Sequence, residues 1–505
     1  MKRKIAFTAA LTFLSAVALA QDPFSRKESA DTNVGPIGLA AKVDGKVMNV
    51  SSLVDGGPAQ RAGIKPGDKI TGVEGQPFAE KPEPAVAIVV ACDVAEARGK
   101  KDAQITLTVN DKEVRVSFPA LGKHSASCPK KCKKCDAVVR AGVDYLVSQQ
   151  RAGCFPTELG GKTGKVVVTS LGGLALMAAG GPEASIAAAA NYVMAHCGVD
   201  EKDGMKLGGG MGGGNWNQEN WELGYGCIFL AEYAKRTKSG EAKAKLFEVA
   251  KKLEKNQEAS GGWAHGPGGP NALGYLELEI VSNWSLMGLG AAKRLGYPLD
   301  KARLEKATAW IEETTHGDGG VGYSPREGQK GFGEAGRTSG AIAAYGQLGL
   351  RGDPFFARMS DFYRGHATTL TTGHVSPYMH MTSGAIASYI LGPRDWAAYI
   401  ETYRPELYAA RRGDGSFAAI PTHESDMLHS NTDSTVGSCW TTASAVLILS
   451  LGDERVPVLI QKAGGEKGAK PEKPGKATTG VPEPTPPADP APGGVAPPPD
   501  GPDVK

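Results

Sequence analysis

The stretch from Asp136 to Gly452 repeats one pattern six times, and this repetition constrains the fold more than any other feature. Each unit has an amphipathic helix, a glycine-rich loop that carries an aromatic residue, and a second helix of small and apolar residues. The first unit reads DAVVRAGVDYLVSQQ, RAGCF and TSLGGLALMAAG over residues 136–150, 151–155 and 169–180. Roughly 53 residues per unit accommodate two helices and two connections. A fixed period of helix pairs is typical of a stacked or closed helical array.

The two helices of each unit differ in their patterning. The first carries charges on one face, as a helix between solvent and core does, and the second is apolar nearly all round, which predicts burial on every side. Several of the second helices open on Thr-Ser or Thr-Thr, which we interpret as N-terminal caps that place the glycine-aromatic loops at one end of the array. Six buried helices inside six amphipathic ones predict an all-α α6/α6 toroid over residues 136–452.

The repeat resembles that of terpenoid cyclases, protein prenyltransferases and related α/α-toroids. The resemblance implies the fold and leaves the chemistry open, because the same fold serves polysaccharide lyases, thioester domains and non-catalytic proteins. The sequence lacks the Asp-x-Asp-Asp motif of squalene-type cyclases, the Asp-x-Cys of prenyltransferases and the Gly-Cys-Gly-Glu-Gln of thioester domains.

The N-terminus has the composition of an export signal. Residues 1–20 have a basic start, an apolar centre and Ala18-Leu19-Ala20, which predicts a signal peptide cleaved before Gln21 and a secreted or periplasmic protein. Residues 21–34 are predicted to be a linker, and no later run reaches the roughly 18 apolar residues of a membrane span. The net charge of +3 does not indicate a nucleic-acid partner.

Residues 35–120 form a separate module that resembles a bacterial-type PDZ domain, since PAQRAGIKPGDKI matches the motif of that family. The resemblance implies a loop that binds a peptide carboxylate and a groove in which the peptide adds as a strand beside the next segment and against the long helix. An alternative places the helical valines in the core of the domain. The residues implied are Ile37, Gly38, Leu39 and Ala40 for the loop and Val86, Val89 and Val90 for the groove.

The order of modules also carries information. A PDZ domain joined through a cysteine-containing linker to a toroid resembles exported proteins of planctomycete-type bacteria, and this resemblance implies organisation rather than activity. No Gly-x-Ser-x-Gly motif and no trypsin-like triad accompany the PDZ domain, so the sequence does not predict a protease.

Three cysteines, Cys128, Cys132 and Cys135, lie within the linker of residues 121–135. Export to an oxidising compartment favours disulfides for the eight cysteines of the chain, with Cys197–Cys227 as the pair that we expect first. Metal ligation by the three thiolates, with Cys154 or His124 as the fourth ligand, and free thiols are the alternatives. We therefore predict neither a metal site nor a cofactor. Residues 453–505, rich in proline and glycine from Ala463 onward, are predicted to be a disordered tail.

The loops at one end of the predicted toroid contain most of its aromatic, histidine and acidic residues, a composition typical of a ligand site. For each there is a structural alternative: a loop tryptophan often wedges neighbouring repeats together, and a loop histidine is often a surface residue. No spacing matches a metal signature. The candidate catalytic residues are His265, Asp318, His374, His380, His423, His429 and Asp433. The candidate ligand-binding residues are Trp216, Trp221, Trp263, Trp284, Tyr323 and Trp440.

Two functions remain open. In the first, which we favour, the chain is an exported binding or scaffolding protein whose PDZ domain captures an extended or C-terminal peptide while the toroid binds a ligand. In the second, the toroid is a carbohydrate-active enzyme, a polysaccharide lyase or hydrolase, with a glycan as its partner and its site at the loop end.

Overall fold

The structure is a computed structural model. It describes residues 31–79, 82–99, 101–158, 161–199, 218–267, 276–372, 376–421 and 431–461. A small β domain comes first in the chain and a helical domain follows it. No helix in these ranges is both long enough and apolar enough to cross a membrane.

The β domain is a seven-stranded antiparallel sheet in the order β1-β2-β3-β4-β6-β7, with β5 paired to β4. A hairpin at Asn110–Asp111 joins β6 to β7, and both residues have the positive φ of a tight turn. The strands are β1 Thr32–Val34, β2 Leu39–Asp44, β3 Val47–Leu53, β4 Lys69–Val73, β5 Gln76–Pro77, β6 Asp102–Val109 and β7 Lys112–Pro119, and the helices are α1 Pro58–Arg61 and α2 Pro84–Glu96.

The helical domain is the predicted α6/α6 toroid. Its inner helices contact one another in the closed order α4-α6-α8-α10-α12-α15-α4. The outer helices are α3 Lys133–Gln149, α5 Glu183–His196, α7 Gly240–Lys255, α9 Lys301–Thr314, α11 Pro354–His366 and α13 Pro393–Ala410. The inner helices are α4 Gly161–Ala179, α6 Glu219–Thr237, α8 Glu279–Arg294, α10 Ala335–Leu348, α12 Pro377–Leu391 and α15 Ser438–Ser450, and the short α14 Thr432–Val436 precedes the last.

Glycines in the loops join each unit to the next. Gly319, between α9 and α10, has φ +93°, and a Cβ there would lie 2.3 Å from the carbonyl oxygen of Arg358 in the next outer helix. Gly415 of the last unit has φ +88° and makes the same approach to Ala141 in α3, again at 2.3 Å. The contact that joins neighbouring units therefore also closes the ring.

Hydroxyl groups of the inner helices accept a hydrogen bond from the backbone N–H two residues after each of these loop glycines. The Oγ1 of Thr338 accepts a hydrogen bond from the backbone N–H of Val321 at 3.0 Å, and Thr442 accepts from Phe417 at the same distance. Thr169 and Ser282 do the same for Phe155 and Trp263. The interpretation of Thr169, Thr338 and Thr442 as helix caps is wrong, because α4, α10 and α15 begin earlier and these residues lie inside them.

The C-terminal segment closes the other end of the ring. Gln347 of α10 donates hydrogen bonds to the carbonyl oxygens of Val458 and Leu459, at 3.0 and 2.7 Å, and Leu459 donates its N–H to the Glu232 carboxyl at 2.6 Å. Val456, Leu459 and Ile460 are at most 2% exposed. The predicted tail boundary at residue 453 is therefore corrected, because the packed chain continues to Gln461.

The β domain packs directly on the last outer helix. Strand β1 and helix α2 both contact α13. The side-chain Nδ2 of Asn33 donates to the carbonyl oxygens of Ala409 and Arg411, at 2.7 and 3.0 Å. Gly35 lies so close to Arg411 that a Cβ would be 1.9 Å from its carbonyl oxygen. These contacts tie the first strand of the chain to the C-terminal end of α13.

Candidate functional site

Strand β1 occupies the position at which a peptide would add to a PDZ domain. It pairs antiparallel with β2, in the register Thr32 with Ala41 and Val34 with Leu39, and it also contacts α2. The N–H of Gly38, in the predicted carboxylate-binding loop, donates to the Val34 carbonyl oxygen at 3.0 Å. The chain's own strand β1 therefore occupies the free edge of β2, and the Gly38 N–H of the loop is already hydrogen-bonded to the backbone of β1.

The predicted peptide-binding residues divide by burial. Ile37, Leu39 and Val89 are at most 1% exposed and belong to the hydrophobic core of the β domain. Ala40 and Val86 are half-buried, and Val90 is 44% exposed. The structure places Gly38 beside Val34, as described above.

A cleft of about 340 Å³ lies between the β domain and the loop end of the toroid. Asn33, Ala40 and Ser52 contribute to one wall. The opposite wall belongs to the toroid and includes Arg412, Glu158, Asp433, Ser434, Ser438 and Thr441. The cleft has the size of a small-ligand site and offers hydrogen-bond donors and acceptors from both domains.

An aromatic row leads from this cleft across the inner ring. The Asp433 carboxylate accepts a hydrogen bond from the indole Nε1 of Trp440 at 2.7 Å. Trp440 contacts the edge of Tyr225 with ring centroids 5.8 Å apart, and Tyr225 stacks on Trp284 at 4.2 Å. The row therefore joins α15, α6 and α8, and two of its members are predicted ligand-binding residues.

Asp433 is buried, and its hydrogen bonds are directed at neighbouring helices. Its Oδ1 also accepts from the Ser376 hydroxyl at 2.6 Å, and its Oδ2 accepts from the Tyr378 N–H at 2.9 Å. Burial raises the pKa of Asp433 to about 6, although these donors oppose the rise. Through these three hydrogen bonds, the Asp433 carboxyl holds the N-terminal ends of α12 and α15 together beside the cleft.

A second polar cluster lies between α8, α10 and α12. Glu334 forms an ion pair with Arg337 at 2.9 Å, and Nε2 of His380 lies 3.6 Å from its other oxygen. The Arg337 guanidinium lies over the Tyr323 ring, 5.0 Å from its centroid. The N–H of Glu279 donates to the Tyr323 carbonyl oxygen at 3.0 Å. The cluster contains two predicted site residues, His380 and Tyr323.

The Glu279 carboxyl is exceptional in this cluster. The side chain is 0% exposed, and neither of its oxygens has a hydrogen-bond partner within the described ranges. Burial raises the pKa of Glu279 well above its usual range, with Arg337 opposing the rise and Glu334 adding to it. A buried carboxyl without partners favours the protonated form, which supplies both a donor and an acceptor.

Other predicted residues lie in packing or turn positions. The His265 imidazole accepts through Nδ1 from the Trp221 indole at 2.8 Å, and burial lowers the pKa of His265 to about 4. The Trp263 indole is 1% exposed and donates to the Leu253 carbonyl oxygen at 2.8 Å. Asp318 is exposed and accepts from the Gly320 N–H at 2.9 Å within its own turn. Four predicted residues lie outside the described residues: Trp216, His374, His423 and His429.

Sequence reasoning missed Glu279 and Arg337. Both lie in the first turn of an inner helix that is otherwise apolar and buried. A charged residue in such a helix was an available signal, because ionisable groups are rarely buried without a functional or structural reason.

The linker brings four metal-ligating side chains together. The ligand atoms of His124, Cys128, Cys132 and Cys135 all lie within 4.8 Å of one another. All eight cysteines of the chain are free thiols in the structure. The expected Cys197–Cys227 disulfide is therefore not formed; both residues are buried, and the Cys197 thiol donates to the Glu222 carbonyl oxygen at 3.4 Å.

Solved structures with a similar fold include the α-1,6-mannanase of glycoside hydrolase family 76 from Salegentibacter, with 11% identity, a TM-score of 0.43, and coverage of 64% of this chain and 99% of that one. A glycosyl hydrolase family 88 protein from Bacteroides vulgatus has 10% identity and a TM-score of 0.42, with coverage of 64% and 99%. A type II terpene cyclase from Scytonema has 12% identity and a TM-score of 0.38, with coverage of 64% and 97%.

No curated protein matches the chain. A PDZ-domain profile matches residues 50–91, which lie within the β domain. The profile described as Domain of unknown function (DUF6288) matches residues 135–453, which is more than half of the chain and spans the whole ring of inner helices. The protein is therefore a member of the DUF6288 family.

Proposed function

We propose that this protein binds a small, hydroxyl-rich ligand of the carbohydrate class in the cleft between its PDZ domain and its toroid. The observation that carries the proposal is the cleft of about 340 Å³, whose polar lining comes from both domains. In this proposal, the PDZ domain supplies one wall of the site.

The lining favours a polar ligand without negative charge. Arg412 is the basic residue of the lining, whereas Asp31, Glu158 and Asp433 contribute carboxyl groups, so the lining disfavours an anion. Ser434, Ser438 and Thr441 add hydroxyl groups that donate and accept hydrogen bonds. Sugars carry several hydroxyl groups, which form hydrogen bonds with a polar lining of this kind.

Thermal unfolding of the full chain in the presence of a panel of oligosaccharides tests this binding. A ligand at 100 times its dissociation constant adds roughly 2.7 kcal/mol of stability, which is a readable shift. We expect the shift to disappear in Arg412→Ala and to persist in Arg358→Ala, which removes an exposed arginine of α11 instead. A shift that is equal in both variants would place the ligand outside the cleft.

A second candidate function, glycoside hydrolysis, is favoured by the contrast between Glu279 and Glu334. Burial favours the protonated form of Glu279, whereas Glu334 is ion-paired with Arg337. Glycoside hydrolysis uses one carboxyl group to protonate the glycosidic oxygen and a second carboxyl group to assist the attack on the sugar. In this candidate, Glu279 is the general acid and Glu334 is the carboxylate.

Product analysis with the same panel separates binding from hydrolysis. If Glu279 is the general acid, Glu279→Gln should reduce the rate by roughly 100-fold or more. Glu305→Gln, at an exposed position of α9, should leave the rate unchanged. If an oligosaccharide stabilises the unmodified protein but is not cleaved by it, binding without hydrolysis is the function.

We also propose that the PDZ domain captures an extended or C-terminal peptide after β1 has left the β2 edge. The PDZ match supports peptide binding, and β1 must leave first because it pairs with the edge of β2 to which a peptide would add.

The variant Val34→Asp tests this proposal, because it places a charge at a residue that is 0% exposed and should release the strand. In a fluorescence-polarisation assay with C-terminal peptides, the variant should bind and the unmodified chain should not. Failure of both to bind, with the variant still folded, would contradict peptide capture.

We further propose that the chain is exported through residues 1–20. N-terminal sequencing of the protein from cells should find Gln21 first. A mature chain that still begins at Met1 would contradict export by cleavage.

A further inference from the structure

We propose that His124, Cys128, Cys132 and Cys135 bind one zinc ion and that this ion fixes the PDZ domain to the toroid. The four residues lie in the segment between β7 and the first turn of α3, so the site lies where the chain passes from one domain to the other. None of the four residues lines the cleft described above, so the site is separate from the proposed ligand site.

The distances match those of a tetrahedral site. Nδ1 of His124 lies 3.4, 3.6 and 3.9 Å from the Sγ atoms of Cys128, Cys132 and Cys135. Zinc bonds of about 2.3 Å to sulfur and about 2.0 Å to nitrogen place such ligands roughly 3.5 to 3.8 Å apart. The Cys128 and Cys135 sulfurs, at 3.0 Å, are closer than this and would separate slightly around an ion.

The histidine is oriented as a metal ligand is. Only Nδ1 faces the three sulfurs, while Nε2 lies 3.4 Å from Oδ2 of Asp93 in α2. A carboxylate on the far nitrogen of a ligating histidine fixes the ring and strengthens the ligand. Asp93 therefore acts as a positioning residue from the PDZ domain.

The toroid contributes to the outer shell as well. The Tyr408 hydroxyl of α13 donates to the Cys135 sulfur at 3.4 Å, and the Tyr408 ring contacts the edge of the His124 ring with centroids 5.1 Å apart. An ion at this point would thus be enclosed by α2, the linker and α13. Because its four positions are filled by protein ligands, the site is structural in type.

A disulfide explains this arrangement less completely. A bond between Cys128 and Cys135 would need their sulfurs at about 2.04 Å and would leave Cys132 and His124 directed at it without a role. Three thiolates and a histidine form a ligand set that zinc prefers.

Metal analysis of the full chain, purified under reducing conditions, tests the proposal. We expect about one zinc per chain by elemental analysis. After exchange with cobalt, thiolate-to-metal charge-transfer bands and tetrahedral d–d bands should appear. Cys132→Ser should lose the metal, whereas Cys154→Ser, at a half-buried cysteine outside the cluster, should keep it.

Two further variants keep the test decisive if Cys132→Ser does not fold. His124→Cys preserves four ligands and should retain zinc with a cobalt spectrum shifted towards that of four thiolates. Asp93→Asn keeps the size of the positioning residue and should weaken zinc binding by about 10- to 100-fold in a competition with a chromophoric chelator. Unchanged zinc affinity in Asp93→Asn would overturn the positioning role.

Counting the free thiols distinguishes a zinc site from a disulfide. After zinc removal and denaturation without reductant, the protein should titrate with all eight thiols. Two missing thiols, a mass lower by two hydrogens and no bound metal would show a disulfide in the linker and overturn the proposal. Metal that binds equally to Cys132→Ser and to the unmodified chain would overturn it as well.

Discussion

The ring of inner helices and the junction between the two domains are built in opposite ways. The ring repeats a small set of contacts, in which a loop glycine packs on the next outer helix and an inner-helix hydroxyl accepts a loop N–H. The junction uses contacts that occur once, such as Lys134 between Asp93 and Glu96. Stability is therefore shared among equivalent sites in the ring and concentrated in single residues at the junction.

The largest effect is expected at the junction, in Lys134→Met. Lys134 is 1% exposed and its Nζ lies 2.7 Å from Glu96, so its removal leaves Asp93 and Glu96 with only their longer ion-pair contacts to His124 and Arg411, at 3.4 and 3.7 Å. Breaking a buried pair in this way costs about 4 kcal/mol. Urea denaturation measures this loss, and Lys133→Met, at the exposed neighbouring position, should change little. Equal effects of the two variants would contradict a junction that depends on single residues.

A ring glycine should have the next largest effect. In Gly319→Ala the new Cβ would lie 2.3 Å from the Arg358 carbonyl oxygen, at a φ of +93° that an L-residue rarely adopts. We expect a loss of about 3 kcal/mol in the free energy of unfolding. The matched control is Gly317→Ala in the same loop, where the added Cβ meets nothing within 4 Å. A tolerated Gly319→Ala would mean that this loop does not join the units as described.

Loss of a repeated hydroxyl should cost less. Thr338→Val keeps the shape of the side chain and removes the acceptor of the buried Val321 N–H. An unpaired buried donor costs about 2 kcal/mol. Thr308→Val, on the half-exposed face of α9, is the control. If the two variants have the same melting temperature, the hydroxyl does not stabilise the ring.

A pH dependence is expected at the closed end of the ring. Burial raises the pKa of Glu232 from 4.5 to about 8, although N–H groups of Leu459 and Val458 oppose the rise. The folded chain therefore binds this proton more tightly than the unfolded chain, so its contribution is fully present below pH 4.5 and is lost as the pH rises towards 8.

Glu232→Gln should remove this part of the pH dependence, whereas Glu241→Gln, at an exposed position of α7, should retain it. Urea denaturation at a series of pH values measures the difference. Parallel stability curves for the unmodified chain and Glu232→Gln would show that Glu232 does not take up a proton on folding.

The sequence predicts what is repeated far better than what occurs once. The alternation of amphipathic and apolar helices specified the toroid, because burial on all sides leaves a helix without a polar face. The role of Thr338 was misread, since the helix begins at Ala335 and a threonine three residues later looks like its cap. The hydroxyl instead bonds a loop that is distant in sequence, and no local pattern encodes that partner.

The candidate sites were less predictable because they depend on contacts between distant segments. Thr32–Val34 fell in the predicted linker, yet this strand fills the β2 edge because α13 is there to support it. Lys134 and Glu279 are ionisable and would be expected at the surface, but the fold buries both. The expected compartment favoured disulfides for the linker cysteines, with metal ligation by Cys154 or His124 as the fourth ligand as an alternative, and the structure brings His124 and the three cysteines together.

Hydrogen exchange across residues 31–44 of the full chain tests most directly whether the two domains act as one body with a filled PDZ groove. Because β1 pairs with β2 and is tied to α13, we predict that the backbone amides bonded between β1 and β2 exchange as slowly as those of α13. Exchange of the β1 amides within seconds, while the toroid remains protected, would mean that the groove is open and would contradict the account.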